Sequence, residues 1–256
     1  MVVGLDRFAA HFAAYEDRYV LIGGAATWLV LDEAGIEARA TRDLDIVLCV
    51  EALDPAFGAV FWEFIWAGGY EIQETSEGAK ILYRFRGPTQ PGYPAMLELF
   101  SRKPDALALG DDSHLTPIPL AGDVSSLSAI LLDSNYYDLL HRHKQEIGGV
   151  STVSEECLIP LKARAWLDLT QRKAAGEHVD SKDIKKHRSD VLRLYLVLEP
   201  GLRIELPATI REDLVAFLRG IEPELNPQLL HQLGIKGVGV AEALQTIRTV
   251  YGIVNG

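Results

Sequence analysis

The sequence predicts an α+β protein, with a mixed-sheet domain over residues 1–120 followed by a helical domain over residues 121–256. Three observations carry this. Up to residue 120, short apolar and β-branched runs alternate with helix-like segments. After Pro119 the runs lengthen and carry the caps and stops of helices. The 256 residues are 48% hydrophobic and 24% charged, which suffices for two modest domains with their own cores.

Tyr19-Val20-Leu21-Ile22 is a short apolar strand that ends in Gly23-Gly24. A helix over residues 25–34 follows, with Trp28, Leu29 and Leu31 along its length and Gly35 placed to end it. Asp43-Leu44-Asp45 leads into Ile46-Val47-Leu48-Cys49-Val50, an unbroken apolar run that suits a central strand buried on both faces. Residues 57–66 read as a helix closed by Gly68-Gly69. Residues 70–73, 80–86 and 96–100 read as three further strands, the last two separated by a loop with Pro88, Pro91 and Pro94. In the second half, residues 127–143 and 154–172 read as helices. Thr152 with Glu155, or Ser154 itself, caps the second of these, and Pro160 lies near its first turn or bends it. Asp180 or Ser181 caps a helix that runs to residue 198, before Pro200 and Gly201. Two or three more helices fill the rest, for example residues 210–220 and 240–250. There is no internal repeat.

Composition excludes several classes. A net charge of -11 argues against a broadly basic nucleic-acid coat. No uncharged apolar stretch reaches the roughly 18 residues of a membrane span. The first residues carry Asp6, Arg7, Glu16 and Asp17 and no continuous apolar run, unlike a signal peptide. Cys49 and Cys157 stand alone and match no zinc or redox spacing, so a reducing compartment is expected and the chain reads as cytoplasmic, with no membrane partner. His141 and His143 have no cysteine nearby and read as a solvated helix end. Residues 162–193 hold nine cations against five anions, a local charge of +4. That run is either a solvated helical face or a basic wall suited to a nucleoside triphosphate.

The residues that carry chemistry are acidic. In a strand, residues two apart share a face, so Asp43 and Asp45 project together and Leu44 turns away. Two like charges flanked by Ile46 and Val47 repel each other and lose solvation. A divalent cation offsets both effects, and Mg²⁺ suits an oxygen-only set. Glu98 lies in another apolar strand, Met96-Leu97-Glu98-Leu99-Phe100. It supplies a third ligand if that strand neighbours the Asp43 strand, or else pairs with an arginine. Gly23-Gly24, between strand and helix, allows close approach of phosphate to backbone N–H groups at a helix N-terminus. Taken alone, such a Gly-Gly is more often a simple turn.

The ordered set of strand, Gly-Gly, helix, Asp-x-Asp strand and later strand acid resembles the nucleotidyltransferase superfamily. Its positions here are Ile22, Gly23, Gly24, Asp43, Asp45 and Glu98, with a longer spacing from Gly24 to Asp43 than in compact members. Within that superfamily the chain is most similar to the AbiEii/MenT-like branch of toxin nucleotidyltransferases. The similarity lies in Ala40-Thr41-Arg42-Asp43-Leu44-Asp45, in residues 158–166 around Lys162, and in residues 182–191 from Lys182 to Val191; it spans residues 21–194.

The resemblance implies a nucleotidyltransferase catalytic domain over residues 1–120 and a helical domain over 121–256 that completes the nucleotide cleft. The implied reaction moves a nucleoside monophosphate from a nucleoside triphosphate to an acceptor hydroxyl. Asp43, Asp45 and Glu98 would be the catalytic and metal residues for Mg²⁺ or Mn²⁺. Gly23, Gly24, Arg42, Lys162 and Lys182 would contact the nucleotide. Asp183, His187 and Asp190 share one helical face. That face is either solvated or places Asp183 or Asp190 at the cleft, where one of them orients Lys162 or a substrate group. The resemblance also implies an RNA acceptor and an antitoxin-like protein partner. The alternative is a non-catalytic nucleotide-binding or protein-interaction module on the same fold.

Overall fold

The computed structural model describes residues 1–49, 54–72, 82–100 and 133–253. Its described residues fall into two units. One takes in Met1–Leu29, Ala38–Leu132 and Lys144–Val153, and the other Val30–Glu37, Asp133–His143 and Ser154–Gly256. The boundary expected at residue 120, the end of the 70–73 strand and residues 127–132 of an expected helix lie outside the described residues.

The first unit is built on a five-stranded mixed sheet in the order β1-β2-β5-β4-β3. The strands are β1 Tyr19–Ile22, β2 Asp43–Leu48, β3 Glu71–Ile72, β4 Leu82–Arg86 and β5 Met96–Phe100. β2 is interior, antiparallel to β1 and parallel to β5, as its apolar run requires. Helix α2 Gly23–Glu33 follows β1 without a linker, two residues earlier than the sequence suggested. Helix α3 Pro55–Gly68 starts where the Asp54 carboxylate accepts from Phe57 N at 2.8 Å, with Pro55 in the first turn where its missing N–H costs nothing.

Helix α1 Leu5–Phe12, not foreseen, buries Leu5, Phe8 and Phe12. Phe8 meets Tyr19 and Phe64 edge-on at centroid distances of 5.2 and 5.7 Å, so aromatic packing ties α1 to β1 and α3. A hairpin was also missed. β6 Lys144–Ile147 and β7 Val150–Val153 turn on Gly148 and Gly149. Both glycines have positive φ, 61° and 74°, which matches the right-handed strand twist in a two-residue turn. β7 is wholly buried, and Thr152 Oγ1 donates to Leu21 O at 3.2 Å.

The second unit is helical: α4 Ser134–Arg142, α5 Glu155–Ala174, α6 Ser181–Leu194, α7 Ala208–Ile221, α8 Pro227–Gln232 and α9 Val240–Val250. A 3-10 turn, Tyr195–Val197, continues α6. Asp180 caps α6 by accepting from Lys182 N at 2.8 Å. Ser154 is the cap residue of α5, but its hydroxyl faces His143 Nδ1 at 3.4 Å rather than the helix. Trp166 of α5 meets Phe217 of α7 edge-on at 5.4 Å. Asp213 accepts from the Tyr136 hydroxyl at 2.8 Å and from Arg164 Nη1 at 3.0 Å, a network joining α4, α5 and α7.

Pro160 lies inside α5 and does not stop it. A proline there cannot donate to the carbonyl four residues earlier, that of Glu156. The buried Tyr251 hydroxyl donates to that carbonyl at 3.0 Å instead. His143 also departs from a solvated helix end. It is half-buried beside Glu156, and burial holds its imidazole below the ordinary value against the pull of that carboxylate.

Candidate active site

The parallel register of β2 and β5 sets Asp43 against Met96 and Asp45 against Glu98. The antiparallel register of β4 and β5 sets Arg84 against Glu98. Residues opposite each other in register share a sheet face, so Asp45, Glu98 and Arg84 form one row across β2, β5 and β4. Asp43 lies on the same face two residues before Asp45. Both aspartates are half-buried, whereas Leu44 between them is fully buried.

Glu98 is 5% exposed and Arg84 is 8% exposed. Both Nε and Nη2 of Arg84 reach Glu98 Oε1, each at 2.6 Å. The strand acid is therefore held by an arginine, one of the two roles its sequence allowed. Arg84 itself was not singled out beforehand, because its role depends on strand order and register.

Gly23 and Gly24 close the site from the β1 side. Ile22 is opposite Asp45 in the β1–β2 register, so the next residue turns over the Asp45 carboxylate. A Cβ built on Gly23 would lie 1.8 Å from Asp45 Oδ2, and Gly23 has φ +67°. No other residue type combines that backbone with that neighbour. Thr27 Oγ1 donates to Gly23 O at 2.7 Å and ties down the first turn of α2. A Cβ on Gly24 would lie 3.2 Å from Thr41 Oγ1 and 3.6 Å from Arg39 Nη2. Arg39, a cation that sequence reasoning passed over, is thus at the Gly-Gly turn. Arg42 is exposed, and its carbonyl accepts from Ala95 N at 2.8 Å.

The later motifs belong to the helical unit. Lys162 is 1% exposed and donates to Asp190 Oδ2 at 2.7 Å, an ion pair between α5 and α6. The pair brings Lys162 together with one of the two expected aspartates, and its burial favours a clamp between helices over a phosphate contact. The face shared by Asp183, His187 and Asp190 divides: His187 and Asp190 are buried, while Asp183 and the neighbouring Lys182 are exposed. Four of the nine cations of the basic segment, Lys162 among them, are ion-paired. Arg164 meets Asp213, Arg172 meets Glu177, and the buried Arg188 meets Glu224. Lys182 and Lys185 remain exposed on α6, with Lys186 partly so.

Among the described residues no group of three His, Cys, Asp or Glu side chains gathers closely enough to hold a metal ion. Asp43 and Asp45, alternate and half-buried oxygen donors, fit a hard divalent cation as a pair; Glu98 is engaged by Arg84. No helix among the described residues is long and apolar enough to cross a membrane. Cys49 and Cys157 are both buried and unbridged.

No family model matches the chain, and no curated protein matches it in sequence. Among solved structures it is similar to the crystal structure of an antigenic nucleotidyltransferase-like protein from Paracoccidioides brasiliensis. The two are 16% identical with a TM-score of 0.46, covering 94% of this chain and 97% of that one. A likeness at that level assigns neither fold nor activity.

Proposed function

We propose that the chain is a metal-dependent nucleotidyltransferase that moves a nucleoside monophosphate from a nucleoside triphosphate to an acceptor hydroxyl. The observation that carries this is the close fit of Gly23 over the Asp45 carboxylate, with Asp43 and Glu98 on the same sheet face. That proximity supports reading the Gly-Gly turn and the two aspartates as parts of one site. The start of α2 at Gly23 and Gly24 would receive the triphosphate through its backbone N–H groups, and Arg39 adds a cation there. Asp43 and Asp45 would hold Mg²⁺ or Mn²⁺, which supplies charge stabilisation at the phosphates when bound. The acceptor hydroxyl oxygen attacks the α-phosphorus and its proton passes to water, the bond to the bridging oxygen of the β-phosphate breaks, and pyrophosphate leaves with that oxygen.

For the acceptor we propose RNA, held by the exposed Lys182, Lys185 and Lys186 on α6. Screening confines repulsion from the overall negative charge to about 8–10 Å at physiological salt, so a short basic face still operates. Charge reversal at these three lysines should weaken RNA binding and flatten its salt dependence. RNA affinity and slope unchanged by that reversal count against it. Membership of the AbiEii/MenT-like branch, and with it an antitoxin-like protein partner, is proposed on residues 40–45, 158–166 and 182–191.

A second reading draws on the Arg84–Glu98 pair. An acid balanced by an arginine is also what a nucleotide-binding module without catalysis would keep. Triphosphate binding and transfer to RNA, measured on one preparation, separate the two. Binding with transfer supports the enzyme, and saturable binding without transfer to any acceptor supports the module.

A further inference from the structure

The row Asp45–Glu98–Arg84 places two carboxylates on neighbouring parallel strands, about 4.8 Å apart in the pairing direction. Such a pair repels, and a buried Glu98 adds a desolvation penalty. In a site that takes two cations, the second cation would relieve that repulsion. Here the relief is built into the sheet: the Arg84 guanidinium meets Glu98 Oε1 through two nitrogens, from the strand on the side away from Asp45.

We infer that Arg84 is a positioning residue for the acid site. By engaging Glu98 it supplies the positive charge that a second metal would bring, so Asp43 and Asp45 take one divalent cation per chain and Glu98 is not a ligand. The inference rests on the reading of Asp43 and Asp45 as the cation-binding pair. Three features of the structure support it. Glu98 is opposite Asp45 and in contact with Arg84. The described residues contain no three-donor group fit for a metal. The pair is buried, so neither partner swings out to solvent without exposing the other's charge to an apolar surround.

The test is Mn²⁺ alone, titrated into the full chain and counted by the electron paramagnetic resonance of the free ion. The parent chain should bind one ion, and Asp43→Asn with Asp45→Asn should abolish binding. Arg84→Met unbalances Glu98 beside the site and should tighten Mn²⁺ binding by about tenfold. That variant risks misfolding, so the charge-neutral pair Arg84→Met with Glu98→Leu is the second arm. It removes both charges together and should keep one ion, with affinity within about threefold. Two ions bound by the parent, or a loss of tenfold or more in the neutral pair with its fold retained, overturns the inference while leaving Asp43 and Asp45 as ligands. No binding by the parent, or binding that survives loss of both aspartates, overturns the cation reading and the inference with it.

Discussion

Asp45 Oδ2 occupies the space that a side chain on residue 23 would need, 1.8 Å from where its Cβ would be. Gly23→Ala should therefore displace the carboxylate and strain a backbone held at φ +67°. Destabilisation of about 1–3 kcal/mol is expected from the backbone, with transfer reduced by roughly 10²-fold through misplacement of Asp45. Urea unfolding alongside a transfer assay reads both. Full activity in the alanine variant would show that the Gly-Gly turn and the aspartate are independent.

Lys162 and Asp190 make a second testable pair. Lys162→Ala removes the ammonium from a buried carboxylate and should cost about 3–5 kcal/mol. Lys162→Met with Asp190→Leu removes both charges and should recover most of that stability. In this double variant, triphosphate affinity should remain within about twofold if Lys162 is a clamp between α5 and α6, as its burial argues. A tenfold loss of affinity in the folded double variant would return Lys162 to the nucleotide.

Tyr251 compensates for Pro160. Its hydroxyl is the donor that the Glu156 carbonyl would otherwise receive from residue 160. Tyr251→Phe leaves the ring in place and removes that donor, so a loss of about 1–3 kcal/mol is expected. Pro160→Ala restores an N–H there and should lessen the loss in the double variant. Additive effects of the two substitutions in denaturant titrations would contradict the coupling.

Much of this was legible from local pattern. The apolar runs of β1, β2 and β5 and the terminators of α2 and α3 state their own structure, and Asp43 and Asp45 stand out as acids in apolar surroundings. Helix α1 was missed although Leu5, Phe8 and Phe12 recur at helical spacing, and the hairpin was missed although Gly148-Gly149 marks its turn. Polar Lys144-Gln145-Glu146 hid the first strand of that hairpin. The remainder depends on residues far apart in sequence. Arg84 reaches Glu98 only because β4 pairs with β5 in one register, and Tyr251 reaches Glu156 from the far end of the helical unit. Neither register nor tertiary pairing is written in periodicity. Within the basic run at residues 162–193, the pairing of Arg164 and Arg188 was hidden for the same reason, because their partners Asp213 and Glu224 lie outside it.

Asp43 and Asp45 are proposed to carry nucleotidyl transfer. The most direct measurement incubates the chain with each α-labelled nucleoside triphosphate, Mg²⁺ and total cellular RNA, beside Asp43→Asn with Asp45→Asn. Label should enter RNA from at least one triphosphate with the parent chain and from none with the double variant, whose fold should persist because two close like charges are removed. Label confined to protein or a small metabolite would move the acceptor but keep the enzyme. Equal labelling by parent and double variant, or none by the parent with any triphosphate, would contradict the claim.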